Sequence, residues 1–219
     1  MNIQDRLRPL AGQLEIQGQT PTLIIAGPDP ENGDDRVMVS APAFQSQSSV
    51  TRAGDISLRV TGGDAGQLGE PTVLHIFQSK LKQEALGYTL EAGSNQHGED
   101  GILVVGSQRR VVQIVTGVTD PSFWTNARKG SASRRFTIAQ AAEILNTAIV
   151  KKAERTVASQ ALKTVLLIDA RQAAPLSSSV VLSEFVDRFG DPAAKYGFSS
   201  VWVVGPTANL TARLGGALP

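Results

Sequence analysis

The 219-residue chain contains no cysteine, which excludes disulfides, thiolate-bound zinc and a cysteine nucleophile. Histidine is scarce: His75 and His97 are the only two, too few for a multi-histidine metal centre. Any metal would be held by carboxylate and carbonyl oxygens, which favours magnesium or manganese. Long apolar runs are missing. The longest, such as those at 164–168 and 201–204, fall far short of the ~20 residues a membrane-spanning helix needs. The opening MNIQDRLRPLAGQLEIQG places charges and glutamines where a secretion signal requires an apolar stretch. A soluble, cytoplasmic chain without a membrane partner is expected. The motifs GxSxG and HExxH are absent, and Gly205-Pro206 lacks the glycine spacing of a phosphate-binding loop.

An apolar share of 41% and a charged share of 19% are those of a globular protein rather than a disordered one. The net charge of +1 conceals an asymmetry. Residues 1–100 hold 7 basic and 13 acidic side chains, a net of −6, whereas residues 101–219 hold 14 and 7, a net of +7. A basic half attracts polyanions. The same asymmetry also suits two halves that attract each other, or an acidic half that docks a protein partner or a second copy.

Hydrophobic patterning predicts a short N-terminal helix over 1–17 (Leu7, Leu10, Leu14) and strands at 22–26, 36–40, 55–60 and 72–77, with a polar loop at 46–49. A helix is expected over 79–91, then a hairpin of strands 102–105 and 111–115 around residues 106–110. Residues 120–135 read as a long polar loop. Thr137 with Gln140 forms a capping-box pattern, opening an amphipathic helix to about residue 155 that ends in Lys151, Lys152 and Arg155. Strand 164–169, helix 180–189 and strand 200–204 follow. Continuous apolar strands alternating with helices imply a sheet buried on both faces. The expected fold is α/β, a central mixed sheet flanked by helices over 79–219, with a β-rich N-terminal extension over 1–78.

Chemistry concentrates in GEDGILVVGSQRRVVQIVTG, residues 98–117. Asp100 starts one hairpin strand and Gln113 lies towards the end of the next, so a twisted hairpin brings both to one end of the sheet. Glu84, on the expected preceding helix, can approach the same edge. Asp100 and the Gln113 amide oxygen are the candidate metal ligands, with Glu84 assisting. An ion held there would polarise a phosphodiester and activate water. The plain alternative makes Asp100 a turn residue and Gln113 a polar group satisfied at a sheet end.

The order of helix with Glu84, strand with Asp100, hairpin strand VVQIV, helix and strand resembles the PD-(D/E)XK restriction-endonuclease-like superfamily. The likeness spans about residues 79–205 and is nearest to the Mrr-like branch, in which glutamine replaces the second acid. It implies a restriction-endonuclease-like fold and a magnesium- or manganese-dependent nuclease acting on DNA, in defence or DNA processing. The tripeptide of that family ends in lysine, and here the position is Val115. Lys151 or Lys152 can migrate into the role. If neither does, the same fold implies an inactive nucleic-acid-binding or protein-scaffold module.

Arg109, Arg110, Arg128, Lys129, Arg134 and Arg135 are candidate phosphate contacts, and Phe123 and Trp124 candidate stacking groups. Both sets also read as solvated loop charges and core aromatics. Further candidates are a rival metal placement at Asp55 with Gln78-Ser79-Lys80, a base at His97, and Asp169 at the end of a buried strand, with Arg171 there to pair with it.

Overall fold

The computed structural model describes residues 13–14, 22–28, 35–41, 44–51, 53–62, 69–94, 99–118 and 120–218. Two six-stranded sheets organise them. The first is antiparallel and runs in the order β1 (Gln13–Leu14), β2 (Thr22–Pro28), β3 (Asp35–Ala41), β4 (Phe44–Val50), β5 (Asp55–Gly62), β9 (Ser131–Thr137). The second is mixed. Its order is β12 (Ala212–Gly216), β11 (Ser200–Val204), β10 (Thr164–Asp169), β8 (Gln108–Thr116), β7 (Gly101–Val105), β6 (Thr89–Ala92). Strands β8, β10 and β11 are parallel, and the outer ones antiparallel.

Strand β10, TVLLID, is buried along its whole length, and its alternate residues feed two cores. Leu166 and Ile168 join Val201, Val203 and the helices α3 (Ile138–Ala153) and α5 (Ser179–Phe189). Val165 and Leu167 join Trp202, Val204 and α1 (Gly69–Gln83) on the opposite face. Helices therefore cover both faces, as continuous apolar strands require. Phe77 and Trp202, both at most 1% exposed, meet edge-to-face at 5.3 Å, and burying a side chain of this kind contributes about 1.5–3 kcal/mol. The antiparallel sheet supplies Ile56, Leu58, Val60, Ala132 and Phe136 to the first core, together with Phe123, Trp124 and Ala127 of α2 (Pro121–Lys129). The short helices α4 (Ala158–Ala161) and α6 (Pro192–Tyr196) complete the fold.

Several local expectations change. Residues 72–77 are helical, not a strand: Val73, Ile76, Phe77 and Leu81 are buried at helical spacing, and Pro71 sits in the first turn, where its missing N–H costs nothing. That helix stops sooner than expected because Ala85 takes a left-handed φ of 53° and Leu86 N–H donates back to Leu81 C=O at 3.0 Å, a helix-ending pattern. The 46–49 segment is part of β4, with Ser46 and Ser48 buried. Residues 120–135 are α2 and β9 rather than a loop. Asp120 caps α2 through Ser122 N–H at 2.9 Å ahead of Pro121, and β9 gains its partners from β5.

The capping box at α3 is formed, Gln140 N–H donating to Thr137 Oγ1 at 3.2 Å and Thr137 N–H to Gln140 Oε1 at 2.9 Å. The hairpin turn is shorter than expected, Gly106-Ser107 with Gly106 at φ 54°, the positive value such two-residue turns demand. The expected 1–17 helix lies outside the described residues apart from Gln13–Leu14, which are strand. The boundary at 78/79 falls inside α1, and β9, from the later half, completes the N-terminal sheet.

Candidate functional site

Asp100 immediately precedes β7, and its main-chain carbonyl accepts from Gly93 N–H, just after β6, at 3.3 Å. Its backbone N–H donates to Val112 C=O at 3.0 Å, and its carboxylate Oδ2 accepts from Ile114 N–H at 2.5 Å. These two bonds bracket Gln113 on the neighbouring strand, so the hairpin sets Asp100 against Gln113. A Cβ on Gly93 would stand 2.1 Å from Glu99 C=O and 2.8 Å from the Asp100 carbonyl carbon. Only glycine permits the approach that holds Asp100 in place. On β8, Val112 packs towards α1 and Val115 towards α3, so strand alternation turns Gln113 to the α3 side. Its Oε1 atom is buried.

Two further side chains interact electrostatically with Asp100. Glu70, in the first turn of α1, lies close enough for the two carboxyl groups to act on each other. Desolvation of the Glu70 carboxyl and then the Asp100 charge raise its pKa above the ordinary 4.5. Lys152, half-buried in the last turn of α3, is attracted to the same carboxylate. Burial pulls Lys152 below the ordinary 10.5 and Arg155 adds to the fall, while Asp100 opposes it. One carboxylate thus interacts with both an acid and a cation. Glu70, Asp100 and Gln113 are hard oxygen donors that would leave several positions to water, as magnesium prefers. Among the described residues no three His, Cys, Asp or Glu side chains cluster closely enough to hold an ion by themselves, so such a site depends on the amide.

The acid beside Asp100 is therefore Glu70 and not Glu84. Glu84 follows the far end of α1, about 20 Å along the axis at ~1.5 Å per residue, and pairs with Lys80 at 3.2 Å. Glu70 is not among the candidates the sequence singles out. The signal was the acid followed by Pro71 ahead of a helically spaced apolar run, a helix start. Gln78, Ser79 and Lys80 lie within α1 and Asp55 on the other sheet, so the rival placement brings nothing together. His97 lies outside the described residues.

The basic set divides. Arg109 and Arg110 lie on β8 beside the hairpin turn. Arg109 is bonded to Glu91 at 2.7 Å, and Arg110 to Gln108 and to the Arg109 carbonyl. Arg128, Lys129, Arg134 and Arg135 belong to α2 and β9, where Arg134 meets Asp120 at 3.5 Å. Phe123 and Trp124 are not stacking platforms. They are at most 7% exposed and pack edge-to-face, with Trp124 Nε1–H donating to Val118 C=O at 2.9 Å. Asp169 is taken up structurally: its carboxylate accepts from Arg171 N–H, Nε and Nη2 at 2.8–3.0 Å, with both residues buried.

No family model, curated protein or solved structure matches the chain. Among the described residues no helix is long and apolar enough to cross a membrane.

Proposed function

We propose that the chain is a metal-dependent nuclease of the restriction-endonuclease-like kind, acting on DNA. The observation that carries this reading is the seating of Asp100 across the hairpin from Gln113 by its bonds to Ile114 N–H and Val112 C=O, with the charges of Glu70 and Lys152 acting on the same carboxylate. The order of helix, hairpin, helix and strand around a mixed sheet supports the same ancestry. Asp100, Glu70 and the Gln113 amide oxygen would hold magnesium or manganese, which when bound polarises a phosphodiester and lowers the pKa of water. Asp100 is positioned by its bond to Ile114 N–H, so its carboxylate needs little reordering. Lys152 supplies, from α3, the cation missing at Val115, and faces the negative charge that develops on a phosphoryl group. Partial burial strengthens that charge interaction by excluding water.

Incubation of plasmid and single-stranded DNA with magnesium or manganese tests the reading. Cleavage is expected in wild type and a loss of about 10²–10³-fold in Asp100→Asn and in Lys152→Met, the scale of removing one transition-state-stabilising group. Absence of cleavage with either ion and either DNA would sink the nuclease reading. A second reading, an inactive nucleic-acid-binding module, is favoured by Val115 at the lysine position. It predicts salt-sensitive DNA binding that survives Asp100→Asn.

A further inference from the structure

Two cavities run along the edge of β9 that faces away from β5. The first, about 660 Å³, is lined by residues 130–134 of β9 and its approach and by Asp120, Ser122, Phe123, Asn126 and Lys129 at α2. The second, about 440 Å³, continues from Arg134 through Arg135 and Phe136 to one stripe of α3, Gln140, Glu143, Ile144, Thr147 and Lys151. Asp120 and Arg134 line both, so the two form one groove. From Gln140 to Lys151 its α3 wall is about 16 Å long at ~1.5 Å per residue. The wall ends one residue before Lys152, whose charge interacts with that of Asp100.

The charges in this groove are unequally compensated. Its two acids are matched: Asp120 lies 3.5 Å from Arg134, and Glu143 lies 3.8 Å from Arg188 on α5. Lys129, Arg135 and Lys151 are exposed and form no ion pair with any described residue. The groove therefore carries three uncompensated cations; of the apolar side chains on its walls Ile144 is half-buried, and Val118 and Phe136 are at most 5% exposed. Cations without acid partners match a chain with a regularly charged backbone.

We infer that this groove binds single-stranded nucleic acid, with Lys129, Arg135 and Lys151 contacting successive phosphates and leading the strand to Asp100. The inference rests on the nuclease reading for its direction, but not for its binding chemistry. A duplex is the poorer fit, because one backbone alone would reach between β9 and α3.

The test uses the full chain in EDTA, so that cleavage is suppressed, and a fluorescent oligothymidylate of roughly 12 nucleotides, within the usual range of single-strand sites. Anisotropy is measured from low to high salt for wild type and for the triple variant Lys129→Gln, Arg135→Gln, Lys151→Gln. All three side chains are exposed, and circular dichroism checks that the fold is retained. The single variant Arg135→Gln gives the same test with a smaller change. Each phosphate contact on a single strand contributes about 0.7 to the salt slope, so the triple variant is expected to lose about 2. A tenfold drop in salt then strengthens its binding about 100-fold less than it strengthens wild type. An unchanged slope overturns the inference. So does a duplex of equal length that binds as tightly with the same loss, or polyglutamate that displaces the oligonucleotide, which would make the groove a site for acidic peptides. The two readings fail separately. Binding that loses its slope in the triple variant, in a protein that never cleaves, removes the nuclease and leaves the groove. Cleavage abolished by Asp100→Asn with an unchanged slope does the reverse.

Discussion

Replacing Asp100 by alanine and by asparagine separates what its carboxylate does for the fold from what it does for chemistry. In the structure Oδ2 accepts from the half-buried Ile114 N–H at 2.5 Å. Alanine removes the acceptor and leaves a main-chain donor without it at the junction of β7 and β8, which costs about 1–3 kcal/mol. For a chain of this size each kcal/mol lowers Tm by about 2–4 °C, so Asp100→Ala is expected to melt about 2–12 °C below wild type. Asparagine keeps an oxygen at the same place and removes the charge. Its Tm is expected to stay within about 2 °C of wild type, since the loss of repulsion with Glu70 and the loss of attraction to Lys152 oppose each other. Calorimetry in EDTA reads both values. Added manganese makes the second comparison. An ion that binds only the folded protein at 100 times its Kd adds about 2.7 kcal/mol, a rise of about 5–11 °C in wild type. In Asp100→Asn this rise is expected to vanish. If asparagine melts as low as alanine, the carboxylate is not held as described. If the manganese shift survives in Asp100→Asn, Asp100 is not a ligand.

Two predictions concern the frame around the site. Arg171→Met removes both guanidinium bonds to the buried Asp169 and leaves it only the main-chain N–H of position 171; breaking a buried pair costs about 3–5 kcal/mol, so Tm is expected to fall about 6–20 °C, and a change below 2 °C in a urea or thermal melt would refute a structural role for the pair. Asp120→Ala removes the α2 cap and is expected to cost about 0.5–2 kcal/mol at neutral pH. The hydrogen bonds from Ser122, helped by Arg134, hold the Asp120 carboxyl below the ordinary 3.8. An acid whose folded pKa is depressed stabilises above its unfolded value and loses that contribution as pH falls through the folded one. The gap in Tm between wild type and Asp120→Ala is therefore expected to be full above pH 3.8 and to narrow below it; a gap that is constant with pH contradicts the ionised cap.

Much of the mixed sheet was legible because its signals are local. Continuous apolar stretches at 164–168 and 201–204, alternating with helical patterns, read as strands covered on both faces, and the Thr137/Gln140 box marks the start of α3 from two residues alone. The hairpin with Asp100 and Gln113 was legible for the same reason, since a turn glycine between branched apolar runs sets its own register. The segments misread were those whose partners are distant. Strand β9 is polar, SASRRFT, and becomes a strand by pairing with β5 more than seventy residues earlier. The run at 72–77 has strand-forming residues but packs as a helix, because tertiary burial overrides intrinsic preference.

The chain by itself determined the chemical repertoire of this protein: no thiols, few imidazoles, oxygen donors at Asp100 and Gln113, and an excess of cations in the second half. Tertiary structure decided which of them act together. Glu70 and Lys152 are 82 positions apart in the numbering and belong to helices on opposite faces of the sheet, yet the charge of Asp100 acts on both. Sequence spacing put Glu84 near that carboxylate, and a helix that begins at Gly69 carried it to the far end. A helix fixes which of its ends faces a site only when its first turn is known, and that turn is set by packing against a sheet whose strands come from elsewhere in the chain.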